Sequence, residues 1–265
     1  MQKLSKFLDG AKMQSEKETS QITSQLNSRI QTNKKFGSVD LDEWLFEKLK
    51  IKKSCNVLDV GCGTGNHIIK LAELFHTCNY YGIDISNTSI NEAKEKARQK
   101  NLKITFICGD ASVASYMEDG FYDLIMSIYA LYYAKGTQKV LTILKTKLKK
   151  SGRIAVMSPY KGNNEEWYGF LSSFMKMPEE IESVAKNFMD KEVLPFAKAN
   201  FNKVQTFYFE NRITIPSCND LKKYWLSNIY HNNEYNAEFE KKAAELYLKN
   251  NCFTITKRAL LVIMG

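Results

Sequence analysis

Residues 57–67 read V-L-D-V-G-C-G-T-G-N-H, an apolar run with one aspartate followed by glycine at three alternate positions. Gly61, Gly63 and Gly65 let the backbone turn tightly and approach a ligand without a Cβ in the way. The helix N-terminus that follows such a turn offers unpaired N–H groups. Two chemistries use this arrangement, a phosphate cradle and a nucleoside site of another kind. The dinucleotide pattern G-x-G-x-x-G needs glycine at position 66, where this chain has Asn66. Asp59 repels a pyrophosphate and suits a ligand that carries an ammonium and a sulfonium. Further on, Y-Y-G-I-D-I-S places Asp84 at the end of a second apolar run. An acid there can bind the ribose hydroxyls bidentately. Alone it reads equally well as a strand-end cap; with the loop it favours a nucleoside.

These residues require strands that end together. Apolar runs at 56–60, 80–85, 104–108, 123–127 and 153–157 read as strands. They alternate with amphipathic helices at 64–75, 87–99 and 138–149, the last closed by Ser151-Gly152. Such alternation implies right-handed βαβ units and a mostly parallel sheet covered on both faces. Upstream, residues 1–35 are polar with a weak helical period at Ile22, Leu26 and Ile30, which predicts a helical arm. Residues 40–50 form an amphipathic helix with Asp40 as N-cap and Leu41, Trp44, Leu45 and Leu49 on one face. After Pro159 come an aromatic stretch to Met177-Pro178 and a helix over 179–194 stopped by Pro195. A strand over 204–211, helices over 217–230 and 236–248, and a strand over 252–264 follow. No repeat or low-complexity linker interrupts the chain. One domain over 1–265 is expected, with an arm at 1–50, a cofactor-binding core at 51–160, and a lid with the C-terminal strands at 161–265.

In this order the motifs resemble those of the class I S-adenosylmethionine-dependent methyltransferases, over residues 53–160. D-V-G-C-G-T-G resembles the family's first motif and Asp84 its ribose acid. I-C-G-D-A (107–111) resembles the third, where an acid reaches the adenine amino group and an apolar neighbour packs the ring. F-Y-D-L-I-M-S (121–127) resembles the fourth, beside the methionine moiety, and L-K-K-S-G-R-I-A-V (148–156) the turn into the fifth strand. The resemblance implies S-adenosyl-L-methionine as cofactor and S-adenosyl-L-homocysteine as product; no metal is expected. It implies cofactor contacts from Asp59, Gly61, Gly63, Gly65, His67, Asp84, Ile85, Asp110, Ala111 and Ser127. It also implies a Rossmann-like α/β fold: a seven-stranded, mostly parallel sheet, its last strand antiparallel, with helices on both faces. The helices at 217–248 then become a lid inserted between the last two strands.

Methyl transfer from a sulfonium is an in-line displacement, so the protein's work is alignment and exclusion of water. An alcohol acceptor also needs a base. The segment S-I-Y-A-L-Y-Y-A (127–134) stands where this family meets its acceptor. It lacks the N-P-P-Y-type tetrapeptide of enzymes that methylate exocyclic amines of bases or glutamine amides. Thr64 stands where the aminopropyltransferases of this fold carry an extra acid. Tyr129, Tyr132 and Tyr133 are candidates to line an acceptor pocket or to stack on adenine, with ordinary helix packing as the alternative. Tyr129 and His231 are the candidate catalytic residues, His231 as a base from the lid. His67 faces either the methionine end or the acceptor, or caps its helix. Arg29 and Phe36 either close over the cofactor or lie exposed, and Tyr160 and Trp167 border the substrate or pack the lid.

Composition sets the outer bounds. The 265 residues are 44% hydrophobic and 25% charged, ordinary for a globular chain, with a net charge of +9. The lysines are scattered, and no nucleic-acid-binding signature accompanies them. Six cysteines without a C-x-x-C and only three histidines argue for reduced thiols and against zinc. No apolar run is long enough to span a membrane, and the N-terminus lacks the apolar core of a signal peptide. The expectation is a cytoplasmic methyltransferase acting at oxygen or nitrogen of a small metabolite, such as a sugar, a sugar nucleotide or a secondary-metabolite intermediate. An RNA-directed methyltransferase and a non-catalytic cofactor-binding protein are the alternatives.

Overall fold

Short runs whose successive residues point to opposite sides build the sheet. The computed structural model describes residues 16–177 and 184–265. Its strands are β1 (Asn56–Val60), β2 (Asn79–Asp84), β3 (Ile104–Cys108), β4 (Tyr122–Ile128), β5 (Leu148–Pro159), β6 (Val204–Ile215) and β7 (Phe253–Met264). They form one seven-stranded sheet in the order β3-β2-β1-β4-β5-β7-β6. β1 to β5 pair in parallel, with Leu58 between Tyr81 and Ile125. β7 runs antiparallel to both β5 and β6. The strand order reverses between β1 and β4, which is where ligands bind in open α/β sheets.

The helices are α1 (Glu16–Phe36), α2 (Leu41–Leu49), α3 (Asn66–Leu74), α4 (Asn87–Gln99), α5 (Thr137–Lys147), α6 (Glu165–Ser172), α7 (Leu194–Asn200), α8 (Cys218–Leu226) and α9 (Asn236–Lys249). Alternation along β1 sends Val57 to one core and Leu58 to another. The first core packs Leu45 and Leu49 of α2, Ile68 and Leu71 of α3, and Ile90 of α4 against the sheet. The second packs Val140, Leu141 and Leu144 of α5 on the other face. A third cluster joins Trp167 of α6, Tyr224 and Trp225 of α8 and Phe239 of α9 to Ile213, Ile215 and Ile255. α8 and α9, which supply part of that cluster, lie between β6 and β7 in sequence.

Several boundaries differ from expectation for local reasons. α3 begins at Asn66 because Gly65 is left-handed, at φ 77°. α5 stops at Lys147, and Lys149 continues as strand with its ammonium on Asp123 at 2.7 Å. β6 runs on to Ile215 because Ile213 and Ile215 are buried in the third cluster. The expected helix over 217–230 ends at Leu226, with Ser217 as its cap. Pro195, expected to stop a helix, lies in the first turn of α7, where its missing N–H leaves no bond unmade. The preceding Val184–Val193 is π-helical. The expected arm over residues 1–15 and the helix start at 179–183 lie outside the described residues. No helix among the described residues is long and apolar enough to cross a membrane.

Candidate functional site

The glycine loop is sewn to the end of the neighbouring strand. Gly61 N and Cys62 N both donate to Ile83 O, at 2.7 and 2.9 Å. Gly61 has φ 80°, and a Cβ there would lie 2.2 Å from the Cβ of Ala130. Ala130 follows β4, so this contact brings the ends of β1 and β4 together. Gly63 is different: at φ 53° a Cβ would meet nothing within 4 Å. Its backbone therefore borders open space, as a ligand-facing glycine should.

Asp84 ends β2 and closes the loop from below. Its Oδ2 accepts from Gly63 N at 2.7 Å and its Oδ1 from Ser86 N at 2.8 Å. Burial raises its pKa, and the two backbone N–H bonds oppose that rise. A carboxylate has about four acceptor positions, so room remains for two hydroxyls. Ile85 beside it is 59% exposed, an apolar side chain in the open at a strand end. Asp110 caps the short 3-10 helix Ala111–Tyr116 by accepting from Ser112 N at 2.7 Å. That bonding to Ser112 holds its carboxyl below the usual range.

Asp59 is the anomaly. It is 1% exposed, and its Oδ2 is buried without a hydrogen-bond partner. Burial pushes its pKa up to about 7; the nearby His67 opposes this and the Asp84 charge adds to it. A buried carboxylate oxygen without a partner is costly unless a donor arrives.

These features fit S-adenosyl-L-methionine. The orphaned Asp59 oxygen matches an ammonium, and the open side of Gly63 gives room for a close approach. Asp84 has acceptor positions left for a ribose, and Ile85 is an apolar surface for a base. Ser127 is already committed: its Oγ donates to Val60 O at 2.8 Å and ties β4 to β1.

Among the residues proposed for the acceptor side, three are engaged in unexpected ways. His67 Nδ1 lies 2.6 Å from Asp42 Oδ1, and Asp42 Oδ2 also meets Lys70 at 3.2 Å. Burial alone would raise the Asp42 carboxyl, but the hydrogen bond and charges of His67, Lys70 and Lys34 hold it well below its usual range. Asp42, in the first turn of α2, was not singled out in the sequence; its D-x-D spacing from Asp40 was the available signal. Tyr129 adopts φ 56°, uncommon for a bulky residue, and its N donates to Met157 O at 2.9 Å. Burial raises its hydroxyl pKa far above neutrality. Tyr129 can therefore donate a hydrogen bond near pH 7, but it does not act there as a ready base. His231 Nε2 lies 3.1 Å from Asn236 Oδ1, and its ring meets Trp225 edge-on at 5.0 Å. The structure thus engages His231 with Trp225 of α8 and Asn236 of α9. Trp167 is buried in the third hydrophobic cluster, and Tyr160 donates to Asp190 at 2.9 Å. Among the described residues no group of three or more His, Cys, Asp or Glu side chains could hold a metal.

Comparison with known proteins accords with this geometry. A family model described as a methyltransferase domain matches residues 51–243. The demethylmenaquinone methyltransferase of Lactobacillus johnsonii is 28% identical over 160 residues, which is 59% of this chain and 65% of that protein. Methyltransferase GfsG of Streptomyces halstedii is 28% identical over 118 residues, 44% of this chain and 42% of that protein. The chain therefore spans less than two thirds of the length of either relative. In fold it is similar to the YcgJ protein of Bacillus subtilis, with a TM-score of 0.57 at 15% identity, covering 84% of this chain and 96% of that one.

Proposed function

Because this chain belongs to the methyltransferase domain family, whose cofactor is S-adenosyl-L-methionine, we propose that it methylates an oxygen or nitrogen of a small molecule. The single observation that carries the reading is the orphaned, buried Asp59 oxygen beside an open glycine loop rimmed by Asp84. The bound cofactor supplies an electrophilic methyl on a sulfonium. Everything else is alignment. Asp59 receives the ammonium, Asp84 takes the ribose hydroxyls, and Ile85 and Ala111 flank the adenine. Asp110 reaches its amino group while capping the helix behind it. The β1–β4 contact through Gly61 and Ala130 fixes the strand ends against each other, so the acceptor segment 127–134 stands beside the loop. Tyr129 orients the acceptor by donating its hydroxyl hydrogen. An amine acceptor then needs only to arrive neutral, and an alcohol loses its proton to solvent or to a base still to be identified. The small-molecule reading is supported by relatives named for demethylmenaquinone and for tetrahydroprotoberberine; the aromatic helices packed on β6 and β7 serve in it as a lid. It treats residues 1–265 as one working unit.

Calorimetric titration with S-adenosylhomocysteine tests the reading directly. The wild-type chain should bind it, and Asp84→Ala should weaken binding by about 1–3 kcal/mol through lost charge-assisted hydrogen bonds. Equal affinity in the two proteins removes Asp84 from the ribose site.

A further inference from the structure

Two of the six cysteines meet at the end of the sheet opposite the glycine loop. Cys55 stands directly before β1 and Cys78 directly before β2. The two strands pair in parallel from Asn56 and Asn79 onward, and Asn79 N donates to Cys55 O at 2.8 Å. The cysteines therefore stand side by side, one step before that register begins. Both side chains belong to the first core. Their Sγ atoms are 2.8 Å apart, although the residues lie 23 positions apart in sequence.

The surrounding backbone holds the pair in place. Cys55 N donates to Cys78 Sγ at 3.3 Å, and Cys78 Sγ donates to Lys52 O at 3.3 Å. With the Cys78 proton directed at Lys52, the contact between the sulfurs is a hydrogen bond given by the Cys55 thiol. Burial and the Cys78 thiol push the Cys55 pKa up to about 12, so it stays protonated at neutral pH. One residue earlier on each segment, Ser54 N donates to Thr77 Oγ1 at 3.3 Å. A disulfide needs Cα atoms about 4.4–6.8 Å apart and an S–S distance of about 2.05 Å. Neighbouring strands lie about 4.8 Å apart, inside that range, and the sulfurs have less than about 1 Å to close.

We propose that Cys55 and Cys78 are an oxidisable pair that closes to a disulfide and staples β1 to β2. The oxidant is hydrogen peroxide. Cys78 is the more exposed thiol, at 8% against 4%, and lies between exposed Thr77 and Asn79. Its sulfur takes one oxygen and becomes a sulfenic acid, while the peroxide is reduced to water. The Cys55 sulfur then attacks the Cys78 sulfur. The S–S bond forms, the S–O bond breaks, and the hydroxyl leaves as a second water with the Cys55 proton. The loop closed over residues 55–78 holds β1, the glycine loop and α3. A cross-link across it restricts the unfolded chain, which stabilises the folded one. The staple acts at the start of β1 and leaves the glycine loop at its far end free to bind. This inference is independent of the methyltransferase reading.

The test uses the full chain and needs neither cofactor nor acceptor. It is treated with hydrogen peroxide, remaining thiols are blocked with iodoacetamide, and the digest is mapped by mass spectrometry without reductant. A peptide pair joined through Cys55 and Cys78 should appear, and dithiothreitol should release it. The oxidised chain should melt about 5 °C or more above the reduced chain. Cys55→Ala and Cys78→Ala should each melt within about 1 °C of the same temperature with and without peroxide. Comparing each variant with itself sets aside any packing lost to the substitution, and the wild-type map stands even if a variant does not fold. Absence of the joined pair while exposed Cys108 and Cys252 are oxidised overturns the proposal and leaves a hydrogen-bonded pair of thiols. A joined pair with an unchanged or lowered melting temperature overturns the staple.

Discussion

At the scale of single residues, Asp59 carries the sharpest consequence. Its carboxyl is raised by burial to about 7, against about 3.9 in an unfolded chain. Between these values the native state binds more protons than the unfolded state. Stability therefore falls as pH rises through that window, and the full penalty is present above it. An ammonium placed at the orphaned oxygen reverses the preference, because it favours the ionised form. S-adenosylhomocysteine should accordingly bind more tightly at about pH 8 than at about pH 6, and should expel a proton at the lower pH. Calorimetry in two buffers of different ionisation heat reads that proton. Asp59→Asn should remove both the proton release and the pH slope, and should raise the melting temperature at alkaline pH. Proton release that persists in Asp59→Asn assigns it to another group. Sequence patterning pointed to Asp59, Asp84 and the three glycines. It could not separate the glycine needed for packing on Ala130 from the one facing open space, because that depends on a contact from β4. It also missed the pairing of His67 with Asp42, which are 25 positions apart.

At the scale of elements, the N-terminal arm is joined to the sheet just after α1, where Gly37 bridges Ile213 of β6. Asn211 of β6 is that joint. Its Oδ1 accepts from Ser38 N at 2.8 Å and Val39 N at 3.1 Å, and the residue is buried. Gly37 is forced by the same packing, since a Cβ there would lie 2.4 Å from Asn33 O. Asn211→Ala leaves these donors unpaired and should cost about 2–3 kcal/mol. The urea midpoint should fall, and limited proteolysis within 16–36 should speed up. Unchanged proteolysis with a lowered midpoint would mean that the arm is held elsewhere. The joint was invisible in the sequence because Asn211 sits in an ordinary alternating strand, 173 positions from Ser38. The elements themselves were legible where period and punctuation agreed, as in α2 behind Asp40 and α4 behind Ser86. They were misread where a tertiary contact decided. Lys147 is an example, its ammonium buried against Ser115 O and Met117 O at the end of α5.

At the scale of the molecule, β7, the last of the seven strands in sequence order, lies inside the sheet. β7 pairs with β5 on one side and along the whole of β6 on the other. From Leu260 to Met264 every side chain is buried, and these residues divide between the two faces of the sheet. Five such side chains at about 1.5–3 kcal/mol each amount to roughly 8–15 kcal/mol, as much as the whole stability of a typical domain. The residues proposed to hold the cofactor all lie upstream, between Asp59 and Ser127. A chain ending at residue 252 therefore keeps every motif and loses the sheet's completion. It should show no cooperative thermal transition and no calorimetric binding of S-adenosylhomocysteine, although its glycine loop, Asp84 and Asp110 are intact. A truncated chain that melts cooperatively and binds within about tenfold of the full-length affinity would show that β1 to β5 fold as a self-sufficient unit. Failure of both places the site's competence in the assembled sheet: the loop geometry at Gly61 depends on β4, β4 pairs with β5, and β5 is covered at its edge only when β7 docks.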